Sequence, residues 1–132
     1  MKRNEALITL SREHHRALVS AKRINDLREQ ADAEIEDYWA AKRELLLAEL
    51  QPHFQVEEAC LLPLLSDKAE PLKERLLEDH ANLRKILNSR QASDALCFAQ
   101  RLMEHVRFEE RELFPWLEQE YGKALADSIR QV

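Results

Sequence analysis

Glycine is nearly missing from this chain: Gly122 is the one glycine in 132 residues. With four prolines and an aromatic share of 6%, that scarcity excludes collagen-like, low-complexity and turn-rich all-β chains. Cysteine is scarce too. Cys60 and Cys97 stand far apart with no Cys-x-x-Cys between them, which excludes a zinc knuckle and a thioredoxin-type redox pair. Two thiols without a disulfide framework point to a reducing compartment, the cytoplasm. Long apolar runs are also absent. The longest, residues 59–65, is interrupted by Pro63 and falls short of the ~20 residues a membrane span needs. Behind the basic pair Lys2-Arg3 there is no apolar stretch, so no signal peptide is expected. Neither sign of charge dominates: 20 Lys and Arg face 25 Asp and Glu, for a net charge of -5. That interspersed, weakly acidic balance argues against nucleic acid and anionic membranes as partners.

What is present is helix former. Leu, Ala, Glu, Arg, Lys and Gln dominate, and nothing alternates with period two for long enough to predict a strand. The pattern predicts four long helices. Helix A covers about 5–30, with Asn4 as its N-cap. Helix B covers about 33–65 and is kinked or divided at Pro52. Helix C runs from Pro71, suited to a first helical position, to about 88–89. Helix D follows Ser93 as N-cap and runs to about 120. Gly122 breaks the chain, and 123–130 can form a short fifth helix. Short connections make neighbours antiparallel, so the expected fold is an all-α, up-down-up-down four-helix bundle, one domain spanning 1–132.

The chain repeats itself. From His53 it reads His-Phe-Gln-Val-Glu-Glu-Ala-Cys-Leu-Leu-Pro, and from His105 it reads His-Val-Arg-Phe-Glu-Glu-Arg-Glu-Leu-Phe-Pro. Each segment follows a helix carrying a histidine after an acid: Glu13-His14-His15 in A and Glu78-Asp79-His80 in C. The bundle is thus two hairpins of one design, each with a lone His and a His-x-x-x-Glu.

Residues i and i+4 lie one turn apart on one helix face, which is a metal-ligand spacing. At about 100° per residue, His53 and Glu57 fall within the stripe of Ile35, Trp39, Leu46, Leu50, Leu61 and Leu64. His105 and Glu109 share a face with Phe98, Leu102 and Leu113, and His80 with Leu76, Leu83 and Leu87. In helix A, His14 lies near the centre of the face made by Leu7, Leu10, Ala17, Leu18 and Ala21. His15 lies beside Ile8 and Val19; His14 is preferred, with His15 as the alternative. Two inward carboxylates are expensive without a cation, and four imidazoles beside them call for a metal pair. Imidazole with carboxylate suits iron or manganese over copper. Two carboxylates that bridge, four nitrogens and an oxo or hydroxo bridge still leave open positions for a small molecule. A ferritin-like Glu-x-x-His and a zinc-protease His-Glu-x-x-His are both absent.

Of the neighbours, Glu58 and Glu110 rotate away from this face and read as solvated surface. Glu112 is a candidate partner for a ligand imidazole, and Cys60 reads as a small core residue. Trp39, Phe98, Phe108, Phe114 and Trp116 read as core packing, and Arg12, Arg16 and Arg23 as a solvated face.

The order lone His, His-x-x-x-Glu, lone His, His-x-x-x-Glu resembles the hemerythrin-like, or HHE cation-binding, family over nearly the whole chain. The resemblance implies a four-helix bundle holding two non-heme irons that handle dioxygen, nitric oxide, peroxide or iron itself. It implies the ligands His14 (or His15), His53, Glu57, His80, His105 and Glu109. Oxygen carriers of the family place a second His four residues after the helix C ligand, where this chain has Arg84. The set of four His and two Glu looks more like the family's sensors and its iron-sulfur repair proteins. A small diatomic or peroxide is therefore the expected partner, and binding or sensing is preferred to a peroxidase, an oxygen-reducing enzyme or an iron store. No protein partner is implied.

Overall fold

The computed structural model describes residues 3–65, 67–122 and 124–125. Helix α1, Glu5–Asp26, starts where Asn4 Oδ1 accepts the Ala6 N–H at 2.9 Å. It carries an acid in its first turn and Arg23 in its last, as the helix dipole favours. It stops short of residue 30 because the last turn tightens: the Leu27 and Arg28 N–H groups bond the carbonyls three residues back.

Helix α2, Asp32–Cys60, is continuous through Pro52. Of the expected kink or division there, the division does not occur. Leu50, His53 and Phe54 on either side are buried in the bundle, and their packing outweighs the one backbone bond a proline forfeits. The division comes at Leu61 instead. There Pro63 lies in the first turn of the four-residue helix α3, Leu62–Leu65, where no N–H is needed.

Helix α4, Glu70–Ile86, has Pro71 in its first turn. Helix α5, Ala92–Phe108, begins one residue before Ser93, which does not cap it. The hydroxyl of Ser89 does the local work, accepting the Gln91 N–H at 3.2 Å and donating to Asp94. The expected single helix D is broken by a π-helical stretch, Glu109–Leu113, before α6, Phe114–Tyr121. Pro115 is the physical reason. The Phe114 N–H bonds the Glu109 carbonyl, and Pro115 has no N–H for Glu110. The Arg3 guanidinium donates to that open Glu110 carbonyl at 2.8 Å. Of the expected fifth helix, Ala124 and Leu125 are helical; Lys123 and residues 126–130 lie outside the described residues.

Four long helices pack around the ring α1, α2, α4, α5. The buried side chains form two apolar halves. One contains Ala17, Ile24, Trp39, Leu50, Leu87, Phe98 and Leu102. The other contains Leu7, Leu10, Leu65, Leu76, Leu113, Phe114 and Leu117. Along α1, residues 7 and 10 belong to one half and 17, 21 and 24 to the other; His14 falls between them. Along α4, His80 likewise separates Leu76 from Leu83. The seam between the halves is a buried polar layer of His14, His53, Glu57, His80, His105 and Glu109. No helix among the described residues is long and apolar enough to cross a membrane.

Candidate metal centre

Each of the four long helices contributes to this layer at the turn its sequence pattern marks, and the π-helical stretch adds Glu109. All six side chains are buried; Glu57, His80 and Glu109 are 0% exposed. His15 is exposed, while His14 is buried and points inward.

The six gather into two groups of four, His14, His53, Glu57 and Glu109, and Glu57, His80, His105 and Glu109. Within each group the ligand-type atoms lie within 4.8 Å of one another. Ligands at about 2.1 Å from an ion sit up to roughly 4.2 Å apart, so a contraction of a few tenths of an ångström would bring each group to the span of one coordination sphere. Glu57 and Glu109 belong to both groups. The imidazoles turn their Nε2 atoms inward. His14 Nε2 lies 2.8 Å from Glu109 Oε1, and His105 Nε2 lies 3.1 Å from the same oxygen. His80 Nε2 lies 3.0 Å and His53 Nε2 3.3 Å from Glu57 Oε1.

Every outward Nδ1–H donates to a second carboxylate. His53 donates to Glu13 at 3.0 Å, His80 to Glu58 at 2.8 Å, His105 to Asp79 at 2.8 Å and His14 to Glu110 at 2.9 Å. The bonds run in one sense round the bundle. α1 supplies the acid for α2, α2 for α4, α4 for α5, and the π-helical stretch supplies it for α1. Glu58 and Glu110, expected as solvated surface, are therefore partners of the inward imidazoles. The one-residue step from Glu57 to Glu58 carries the side chain out of the core but into the groove beside the next helix. Glu112, the expected candidate for this role, is exposed instead. Glu13 and Asp79 are the acids that immediately precede the lone histidines, so the signal that finds them is the acid-His pair itself.

The electrostatics follow from burial against neighbouring charge. Burial opposes a charged imidazole, but Glu109 and Glu110 bond His14 and raise it to about 9. Burial likewise opposes charge on His53, yet the charge of Glu57, the nearby Glu109 and the bond to Glu13 push it up to about 12. His105 rises to about 10 against its burial, through Glu109 and Asp79. Glu109 is held well below the usual carboxylate range: burial would raise it, and the surrounding imidazoles, His105 foremost, overcome that. The bond from His53 lowers Glu13.

Four buried polar atoms of the cluster nevertheless make no hydrogen bond of good geometry: His53 Nε2, His105 Nε2, Glu57 Oε2 and Glu109 Oε2. Buried polar atoms are normally satisfied, and four orphans aimed into one layer mark a place for a cation. Nitrogen and oxygen donors in this ratio, with each outward N–H held by an acceptor, are the donor set of a transition-metal site. The residues present fit a metal.

The other expectations distribute simply. Trp39, Phe98, Phe108 and Phe114 are buried and Trp116 is half-buried. Cys60 is buried, Cys97 is half-buried, and both are free thiols. Arg12, Arg16 and Arg23 are exposed. Arg84 bonds Glu58 through two nitrogens at 2.7 and 2.9 Å. Phe54, unremarked in the sequence, stacks on the His80 ring at 4.2 Å between centroids.

Fold and site together define a helical bundle built round a cation-binding layer. The model of the hemerythrin HHE cation-binding domain matches residues 6–117. The chain belongs to that family. No curated protein and no solved structure matches it significantly.

Proposed function

We propose that this chain binds a pair of non-heme irons joined by an oxo or hydroxo bridge, and that it binds or senses dioxygen, nitric oxide or peroxide there. His14 and His53 would hold one ion and His80 and His105 the other, with Glu57 and Glu109 available to both. The observation that carries this reading is that both glutamates belong to both groups of four. A carboxylate has two oxygens, and a residue shared by two coordination spheres can give one to each.

Bound iron would supply reversible redox chemistry and an open coordination position. The protein's part is to prepare the donors. Glu13, Glu58, Asp79 and Glu110 fix each ring by its Nδ1–H and leave Nε2 free for an ion. The protons that the glutamates hold on His14, His53 and His105 are displaced when ions enter, so metal binding releases protons. Above and below, the two apolar halves keep bulk water from the layer. Two free thiols agree with a reducing, cytoplasmic setting.

The test is metal content with an absorption spectrum on freshly purified protein, as isolated and after anaerobic reduction. About two irons per chain with near-ultraviolet bands that bleach on reduction is the expected result. A reversible spectral change with gas then supports binding or sensing. Multiple turnovers with a reductant would make the chain an enzyme instead, and iron passed to an acceptor would make it a store or donor. Zinc, or no metal after anaerobic iron loading, refutes the di-iron reading.

A further inference from the structure

Three of the four inward imidazoles share an arrangement that the repeat does not encode. In each, one arginine grips the imidazole twice, through its acid and through an aromatic ring. Arg84 bonds both oxygens of Glu58, which accepts from His80, and its Cζ lies 5.4 Å from the Phe54 ring that stacks on His80. Arg3 bonds Glu110 Oε1 at 3.2 Å, and Glu110 accepts from His14. Arg3 Cζ also lies 5.5 Å from the Phe114 ring, which is stacked on His14 at 5.6 Å with only 8° between planes. Arg75 bonds Asp79 Oδ2 at 2.9 Å, the oxygen that accepts from His105. Its Cζ lies 4.8 Å from the Phe108 ring, which meets His105 at 6.2 Å.

The arginines come from unrelated places: the segment before α1, and two different turns of α4. His53 is the exception. Among the described residues no arginine bonds Glu13, and His53 meets Phe54 edge-on at 70°.

We propose that Arg3, Arg75 and Arg84 are positioning residues of the metal centre, each orienting one imidazole through its acid and its ring, with His53 left as the unclamped ligand. The inference rests on the metal-binding reading above. An exposed ion pair alone is worth little, because two flexible side chains must be ordered for one screened attraction. Here the guanidinium plane is fixed on two sides, by a carboxylate and by a ring face. The carboxylate in turn holds the imidazole by a charge-assisted bond. Arg3 has two further anchors, the Glu110 carbonyl opened by Pro115 and the Glu118 carboxylate. Side-chain exposure is 24% for Arg3, 30% for Arg84 and 44% for Arg75, so Arg75 is the weakest clamp.

The experiment uses cobalt(II), whose absorption reports coordination geometry. The full chain is loaded with cobalt and mixed with excess chelator, and the release rate is followed. Arg3→Gln, Arg75→Gln and Arg84→Gln are compared with Arg12→Gln, an exposed arginine outside the clamps. Outer partners of metal ligands typically carry 10–100-fold of metal affinity. These arginines act one bond further out, so Arg3→Gln and Arg84→Gln should release cobalt about tenfold faster, with altered spectra, Arg75→Gln less, and Arg12→Gln at the parent rate.

Melting of each metal-free variant separates the alternative. If melting falls while release rate and spectrum stay unchanged, the arginines only brace the fold and the proposal is overturned. Should a Gln variant fail to fold, Arg84→Lys decides. It keeps the charge but loses the planar fork, so intermediate release supports the clamp and parental release refutes it. If the parent chain takes up no cobalt, the function proposed above fails and the clamp with it. If the parent loads two ions and every variant matches it, the function stands and the clamp alone is refuted.

Discussion

Raising the pH should weaken the metal-free protein and leave the loaded one almost untouched. In the metal-free protein the buried charge of Glu109 is balanced by protons on the imidazoles around it. Of His14, His53 and His105, His14 is the least raised. Burial opposes its charge, but the bonds to Glu109 and Glu110 lift it from 6.5 to about 9. A proton held more tightly in the folded state adds stability that is complete below pH 6.5 and is gone once the pH has climbed through about 9. That gap corresponds to about 3 kcal/mol. Proteins of this size are stable by roughly 5–15 kcal/mol, so the loss is a large share. His53 and His105, raised further, add to the slope and extend it to higher pH. Bound ions take the place of those protons, so the slope should vanish on loading. Urea unfolding followed by circular dichroism at about pH 6 and about pH 9.5, with and without metal, measures both arms. An unfolding midpoint for the metal-free protein that is flat over that range would refute the reasoning: the layer's charge would then be balanced without imidazole protons.

Three further outcomes follow from the same geometry. Asp79→Ala removes the acceptor for His105 Nδ1–H and should weaken metal binding about 10–100-fold in a chelator competition; unchanged affinity would detach that acid from the centre. Phe54→Ala removes a buried ring stacked on His80 and should cost about 3–5 kcal/mol in urea unfolding of the metal-free protein. His14→Ala should lower the bound metal per chain while His15→Ala, at an exposed position, leaves it unchanged; metal analysis of the two purified variants checks the choice.

The inward layer was legible because its signal is periodic. Two His-x-x-x-Glu segments and two lone histidines fall on apolar stripes, and a stripe at helical spacing must face the core. That His14 and not His15 faces inward was legible for the same reason. The partners beyond the layer were not. Glu58 and Glu110 lie one step off the stripe, and whether such a side chain meets water or the next helix depends on how closely the helices pack. Two prolines act against a purely local reading, in opposite senses. Pro52 sits among buried residues, and tertiary packing carries the helix past it. Pro115 leaves a carbonyl open, and the chain answers with a π-helical stretch and a distant arginine, which no local pattern announces.

The acid-to-imidazole ring has no first member. Each helix serves the next, and the last serves the first, so the order of helices along the chain enters only through the connecting loops. The two ends of the described chain also meet: Asn4 Nδ2 donates to the Gly122 carbonyl at 3.2 Å, and its N–H donates to Glu118 at 2.6 Å. A circularly permuted chain, closed near that junction and opened in the loop before α4, would run α4, α5, α6, α1, α2, α3 and keep all four acid–imidazole bonds. For this bundle, the centre is a property of a closed circuit, and where the polypeptide starts is incidental to it.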